Sequence, residues 1–494
     1  MKTQNYIDGK WRDAQDGRTF PTINPTTGEV IAQVARSSDA DVDAAYEAAQ
    51  RAGPEWRATP PPLRANVLFR VAELAQDRED ELARFIVREH GKPLEDAHGD
   101  VQELIHVALY WMAEGRRQFA QMVPSEKRDK LGFSRREPLG VVLALTPSNF
   151  SLTKAALKIY AAIILGNTVV HKPSHETPLI GTAFQELFDE VGLPPGVVNT
   201  VLGYSEEIGT RLVENPAVNM ISYTGTTQVG RSIASRAGAN LVPVSLEGNA
   251  KNTLVVNEDA DLKLALDWAV KSAFATNGQR ESAASRIVLH EKIADAFTDS
   301  FLKRVKELRV GDPLDEKTSI GPLVSAEQVN AIEDYVKRAV ASGGRILTGG
   351  TRPTAPELAK GAYFLPTVIE GIDPDSELAK EEVPGPQTML FRVPNMDEAV
   401  RIANSVPYVL SMAIFSENGS TALDIANRFE AGVAWINCGT AGAEVGTPFQ
   451  GSKGYTLGTT EWGQGAIDTF TRWKTTYINY SREHRFVFED TRIR

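Results

Sequence analysis

The chain has 494 residues, 42% of them hydrophobic and 24% charged, and 53 basic against 64 acidic side chains give a formal net charge of −11. That length allows two or three domains with buried cores, and the acidic balance argues against a general nucleic-acid or membrane-surface partner. A single cysteine, Cys438, and seven scattered histidines without paired ligand spacing exclude a disulfide framework and a cysteine-based metal cluster, so the chain reads as metal-free and cytoplasmic.

In chain order, the N-terminal "MKTQNYIDGKWRDAQDGRTF" has no apolar signal core. No later run approaches the ~18–20 apolar residues that span a bilayer. From about residue 138 strand and helix patterns alternate. "GVVLALTP" is an apolar, β-branched strand stopped by Pro147, and "SLTKAALKIYAAIILG" is a helix ending at Gly166. "TVVHKPS", "VVNTVLG", "NMISYTG" and "LVPVSLEG" read as further strands, separated by the helices "PLIGTAFQELFDEVG", "SEEIGTRLVENP" and "TTQVGRSIASRAG". Short buried strands alternating with amphipathic helices predict an open parallel α/β sheet, which binds ligands at the carboxyl ends of its strands. A second α/β block starts near Asn252 and runs to about residue 450. Residues 116–137 and the tail "TFTRWKTTYINYSREHRFVF" alternate and are rich in aromatic or β-branched residues. An unpaired strand edge invites association, so these arms are expected to pair with another subunit.

The motifs "TPSNF", "HKPS", "YTGTTQVG", "LEGNAKN", "NGQRESAASR", "EEVPGP" and "PFQGSKG" resemble, in order and spacing, those of the NAD(P)-dependent aldehyde dehydrogenase superfamily. The resemblance spans essentially the whole chain. Its end, "GTTEWGQGAIDTFTRWKTTYINYS", is most similar to the semialdehyde-oxidising branch, including 2-oxoglutarate semialdehyde dehydrogenases. The resemblance implies an α/β aldehyde dehydrogenase fold. Residues 1–115 and 138–248 would form a Rossmann-like nucleotide-binding domain and 249–450 a catalytic domain. Residues 116–137 and 471–494 would be β arms joining a homodimer or homotetramer.

The resemblance also implies roles. Asn149 matches an oxyanion-holding asparagine, and Glu247 a water-activating glutamate. Lys158 and Glu461 match a proton-relaying pair. Lys172 and Ser174 in "HKPS" match residues on the adenosine ribose, and Glu382 a glutamate on the nicotinamide ribose. Gly225, Thr226 and Val229 lie at a helix start facing the pyrophosphate, where backbone N–H groups favour anions. His175 stands where many NAD-selective relatives carry a glutamate that repels a 2′-phosphate, so NADP as well as NAD is expected as cofactor.

Departures cluster at the reacting centre. The family's GQxC reads Gln279-Arg280-Glu281, with Ala283 and Arg286 fixing the register, so glutamate replaces the nucleophilic cysteine. Ser148, Pro384 and Asn249 replace other family residues nearby. Two carboxylates, Glu281 and Glu247, at ~5 Å in an effective dielectric of about 20 repel by roughly 3 kcal/mol. One is then expected to titrate near neutrality unless Lys158 or Arg280 compensates. Cys438 is a candidate substitute nucleophile, or simply a small buried apolar side chain. Three functions fit this sequence. The first is NAD(P)-dependent oxidation of an aldehyde or semialdehyde by a non-cysteine site. The second is a non-redox lyase, hydratase or hydrolase using Glu281 and Glu247 as acid and base. The third is a nucleotide-binding scaffold without catalysis.

Overall fold

The computed structural model describes residues 2–117, 120–125 and 129–480. The remainder of the two expected arms, at 118, 119, 126–128 and 481–494, lies outside the described residues.

The first sheet is built on β1 (Val141–Leu145), β2 (Thr168–Lys172), β3 (Val198–Thr200), β4 (Val218–Thr224) and β5 (Val244–Glu247). These strands are parallel and lie in the order β3-β2-β1-β4-β5. The order reverses between β1 and β4, which opens a crevice at their carboxyl ends. After β1 the chain turns at Pro147 into α1 (Ser151–Ile164), every residue of which is buried. Gly166 ends that segment at φ +94°, a left-handed conformation that a side chain would strain.

Short antiparallel strands at both sides of this sheet escaped the periodicity reading because each is only two or three residues long. Asn5–Ile7 pairs with β3, and Thr456–Leu457 pairs with β5. The latter brings the chain back to the first sheet and places Tyr455 beside Glu247.

The second sheet contains β6 (Thr253–Val256), β7 (Arg286–His290), β8 (Thr367–Glu370), β9 (Gln387–Val393), β10 (Ser411–Phe415) and β11 (Val433–Ile436). They run parallel in the order β8-β9-β7-β6-β10-β11. Each sheet has its own apolar core.

The two arms pair with each other within the chain. Lys130–Pro138 runs antiparallel to Thr471–Asn479 and also carries Ala120–Val123 on its other edge. The sheet leaves Met122, Val123, Trp473, Tyr477 and Ile478 exposed. No helix among the described residues is long and apolar enough to cross a membrane.

Candidate active site

Glu281 is held by a loop with little freedom. A 3₁₀ turn, Ala275–Gly278, puts Thr276 and Asn277 at φ +54° and +58°, conformations that non-glycine residues seldom adopt. Side-chain bonds stabilise it. Asn277 Nδ2 donates to the carbonyls of Gly91 and Pro322, at 3.3 and 2.7 Å, and Oδ1 accepts from Gly321 N–H at 2.8 Å. The Thr276 N–H donates to Asp96 Oδ2 at 2.8 Å. Gly278, at φ +67°, has no room for a side chain, since a Cβ would stand 2.0 Å from the Gly385 carbonyl oxygen. Beyond the turn, Asn252 Nδ2 donates to the Glu281 carbonyl at 2.7 Å and Thr440 Oγ1 to that of Ser282 at 2.7 Å.

Two lysines, four residues apart, project from one face of the largely apolar α1. Lys154 Nζ lies 2.7 Å from Glu247 Oε2 and 2.7 Å from Glu281 Oε2. Lys158 Nζ lies 2.7 Å from Glu461 Oε2, and both of these side chains are buried. Ser222 Oγ donates to the other Glu461 oxygen. Thr224 Oγ1 donates to Glu247 Oε2 at 2.8 Å, and Tyr455 Oη to Glu281 Oε2 at 3.3 Å. The result is a line of alternating charge: Glu281, Lys154, Glu247, Lys158, Glu461.

The ammonium between the two carboxylates is therefore Lys154, not the Lys158 or Arg280 expected from the sequence. Burial alone would raise the Glu247 carboxyl, but Lys154 and Lys158 outweigh it and hold it below the usual carboxylate range. Burial works against the charge on Lys154, yet its two carboxylates raise its pKa above the ordinary value. Burial and the Glu281 charge push the Tyr455 phenol well up, so it remains a hydrogen-bond donor. Glu281 Oε1, by contrast, is buried and has no hydrogen-bond partner among the described residues.

Two cavities meet at this residue. A cleft of about 510 Å³ at the crevice of the first sheet is lined by Asn149, Lys172, Ser174, His175, Gly225, Thr226, Val229 and Glu382. A tunnel of about 410 Å³ is lined by Asp96, Glu103, Phe150, Lys154, Trp268, Phe449 and Trp462. Arg280 and Glu281 line both. Exposed Val229 and Arg236 rim the cleft, and exposed Glu95, Lys271 and Gly442 rim the tunnel, so each has its own mouth.

The remaining candidates fall into place around these cavities. Asn149 donates through Nδ2 to the Gln279 carbonyl at 3.2 Å and accepts at Oδ1 from Phe150 N–H. Among the described residues Lys172 makes one hydrogen bond, to the Pro173 carbonyl at 3.1 Å, and burial lowers its pKa to about 8 against the opposing charge of Glu206. His175 packs its ring 5.2 Å from that of Tyr204. Thr226 caps the helix α2 (Thr227–Ala239) by accepting from Val229 N–H. Burial raises the Glu382 carboxyl to about 7, opposed by bonds from Asn249 and Ala250. Ser148 donates to Glu176 at 2.8 Å, and Pro384 lines the cleft. Cys438 is free and half-buried and lines neither the cleft nor the tunnel. Lys154 and Tyr455 were not singled out from sequence, and Asn249 was noted only as a departure from the family pattern. For Lys154 the signal was present, as two lysines at helical spacing in an apolar run.

Comparison with known proteins identifies the family. The aldehyde dehydrogenase family model matches residues 11–476. The chain is 34% identical over 475 residues to the alpha-ketoglutaric semialdehyde dehydrogenase of Bacillus subtilis (strain 168), covering 96% of this chain and 97% of that protein. It is also 34% identical over 458 residues to the glutarate-semialdehyde dehydrogenase of Pseudomonas putida, covering 93% and 94%. A crystal structure of betaine aldehyde dehydrogenase from Staphylococcus aureus in complex with NAD+ superposes with a TM-score of 0.96 at 32% identity, covering 99% of this chain and 97% of that one. Similarity of sequence and fold over nearly the full length has one meaning: the chain belongs to the aldehyde dehydrogenase family.

Proposed function

We propose that the chain oxidises an aldehyde or semialdehyde to its acid with NAD(P), using the Glu281 carboxylate in place of a thiol. The observation that carries this reading is the position of Glu281. One oxygen is anchored by Lys154 and Tyr455, while the other is unpartnered where the cleft meets the tunnel. The semialdehyde dehydrogenase relatives and the NAD+ complex of the structural neighbour support the substrate class and the cofactor.

The residues of the cleft fit a nucleotide. Lys172 offers a buried ammonium with one protein acceptor, and the start of α2 offers backbone N–H groups to phosphate. Ser174, Gly225, Thr226, Val229 and Glu382 would complete the site, and His175 places no carboxylate against a 2′-phosphate. Bound there, nicotinamide supplies a hydride acceptor.

A carboxylate is a poor nucleophile towards aldehydes, and its adduct would have to oxidise to an anhydride. Glu281 instead acts as a base. Its free oxygen accepts a proton from one hydroxyl of the hydrated aldehyde, and the electron pair released would form the carbonyl of the acid as the C–H bond on the same carbon breaks and its hydride leaves to the oxidised nucleotide. Asn149, with a second amide hydrogen to give, steadies the developing charge. Glu247, Lys158 and Glu461 continue the line of charge inward, with Lys158 and Glu461 as the proton relay.

The test is formation of reduced nucleotide with a panel of aldehydes that includes glutarate semialdehyde and 2-oxoglutarate semialdehyde. Slow turnover is expected, falling about 100-fold in Glu281→Gln. Absence of reduced nucleotide with every aldehyde, or an unchanged rate in Glu281→Gln, overturns the proposal.

The 2.7 Å contact between Lys154 and Glu281 favours a second reading, a nucleotide-binding protein whose residue 281 is only an ion-pair partner. Glu281→Gln would then lower the melting temperature and change nothing else. For the whole molecule, the exposed apolar side chains of the arm sheet support a homodimer or homotetramer.

A further inference from the structure

One side chain that the family pattern does not contain joins the start of α2 to Glu382 at the cleft. Asn249, just beyond β5, donates through Nδ2 to Glu382 Oε2 at 2.7 Å. Its Oδ1 accepts from the backbone N–H of Thr227, the first residue of α2, at 2.8 Å. Thr227 Oγ1 accepts in return from the Asn249 N–H at 2.9 Å. The Ala250 N–H also donates to Glu382 Oε2, at 2.9 Å. Asn249 and Glu382 both line the cleft.

These bonds use groups that a dinucleotide would otherwise engage. One Glu382 oxygen already receives two N–H donors, which leaves a ribose diol only the other oxygen as acceptor. An amide of the first turn of α2 is satisfied within the chain and is withdrawn from the donors available to phosphate. Elsewhere in the cleft Lys172 has a single hydrogen bond among the described residues, leaving ammonium hydrogens for a ligand. Grip is therefore unequal along the cleft.

We infer that Asn249 is a specificity-determining residue. It occupies Glu382 and the start of α2, so the cleft holds adenine nucleotides by their adenosine diphosphate part and gains little from the nicotinamide riboside. This rests on the reading of the cleft as an NAD(P) site. It is consistent with slow oxidation, because a weakly held nicotinamide is seldom aligned with the substrate.

Calorimetry at pH 7 tests it, with the probes compared in pairs: ADP with NAD, and the 2′-phosphate of ADP with NADP. In the unaltered chain the two members of a pair should bind within about threefold of each other. In Asn249→Ala and Asn249→Gly the dinucleotide should gain about tenfold. The shorter nucleotide, which can use only the freed amide of α2 and not Glu382, should gain no more than about threefold, and its binding also shows that the variant is folded. Dinucleotides already more than about tenfold tighter in the unaltered chain would overturn the inference while leaving the cleft an NAD(P) site. Equal shifts for both members of a pair would also overturn it, since Asn249 would then be structural. If neither member of either pair binds, the inference and the reading of the cleft fall together.

Discussion

At position 281 a carboxylate needs a counter-charge that a neutral thiol would not, and Lys154 provides it to two carboxylates at once. Removing it by Lys154→Met leaves Glu247 and Glu281 facing each other in a buried site, and breaking such a pair costs about 3–5 kcal/mol. The pH dependence has a definite sign. Glu247 is held below its unfolded pKa, so its contribution to stability is present above the ordinary carboxylate range and is lost as pH falls through the folded value. The melting-temperature gap between the unaltered chain and Lys154→Met should therefore be widest near neutrality and narrow below about pH 4, which calorimetric scans across pH would show. Lys172 gives a second expectation. With its pKa lowered to about 8, the ammonium loses charge as pH rises through that value. Affinity for ADP or NADP, followed by calorimetry from pH 7 to pH 9, should weaken, and Lys172→Met should be weaker throughout and without that slope. At this scale the sequence showed that Glu281 replaces a cysteine and where Glu247, Lys158 and Glu461 stand. It did not show that Lys154 would reach both carboxylates. That depends on how far along the helix the two loops cross it, a distance no local pattern encodes.

Among the elements, the loop at 275–286 contributes most to positioning the site. Its conformation rests on Thr276, Asn277 and Gly278, three consecutive residues at positive φ. Gly278→Ala would add both backbone strain, about 1–3 kcal/mol, and a clash with the Gly385 carbonyl. A fall of several degrees in melting temperature is expected, and loss of Glu281-dependent turnover should exceed what the lower stability explains. The five parallel strands of the first sheet were legible in the sequence because each is a short apolar run bounded by Pro, Gly or a helix start. The loop was not, because Thr and Asn carry no signal that tertiary bonds from Gly91, Gly321 and Pro322 will hold Asn277 in a left-handed conformation. The edge strand Thr456–Leu457 was equally hidden. Two residues have no periodicity, and its partner β5 is some two hundred residues earlier in the chain.

For the molecule as a whole, the arm sheet provides a test separable from chemistry. Its two outer strands carry exposed Met122, Val123, Trp473, Tyr477 and Ile478, which is an unusual concentration of large apolar groups on an isolated sheet. Sedimentation should find the chain as a dimer or tetramer, and the double change Tyr477→Asp with Ile478→Asp should shift it to a smaller particle while ADP binding persists. A different consequence follows from the cleft and the tunnel having separate mouths and sharing only Arg280 and Glu281. Neither reactant has to pass through the space of the other, so neither has to arrive first or leave last. Initial-rate patterns should show no compulsory order of addition. The acid product should compete with the aldehyde and not with the nucleotide, and reduced nucleotide should compete with its oxidised form alone.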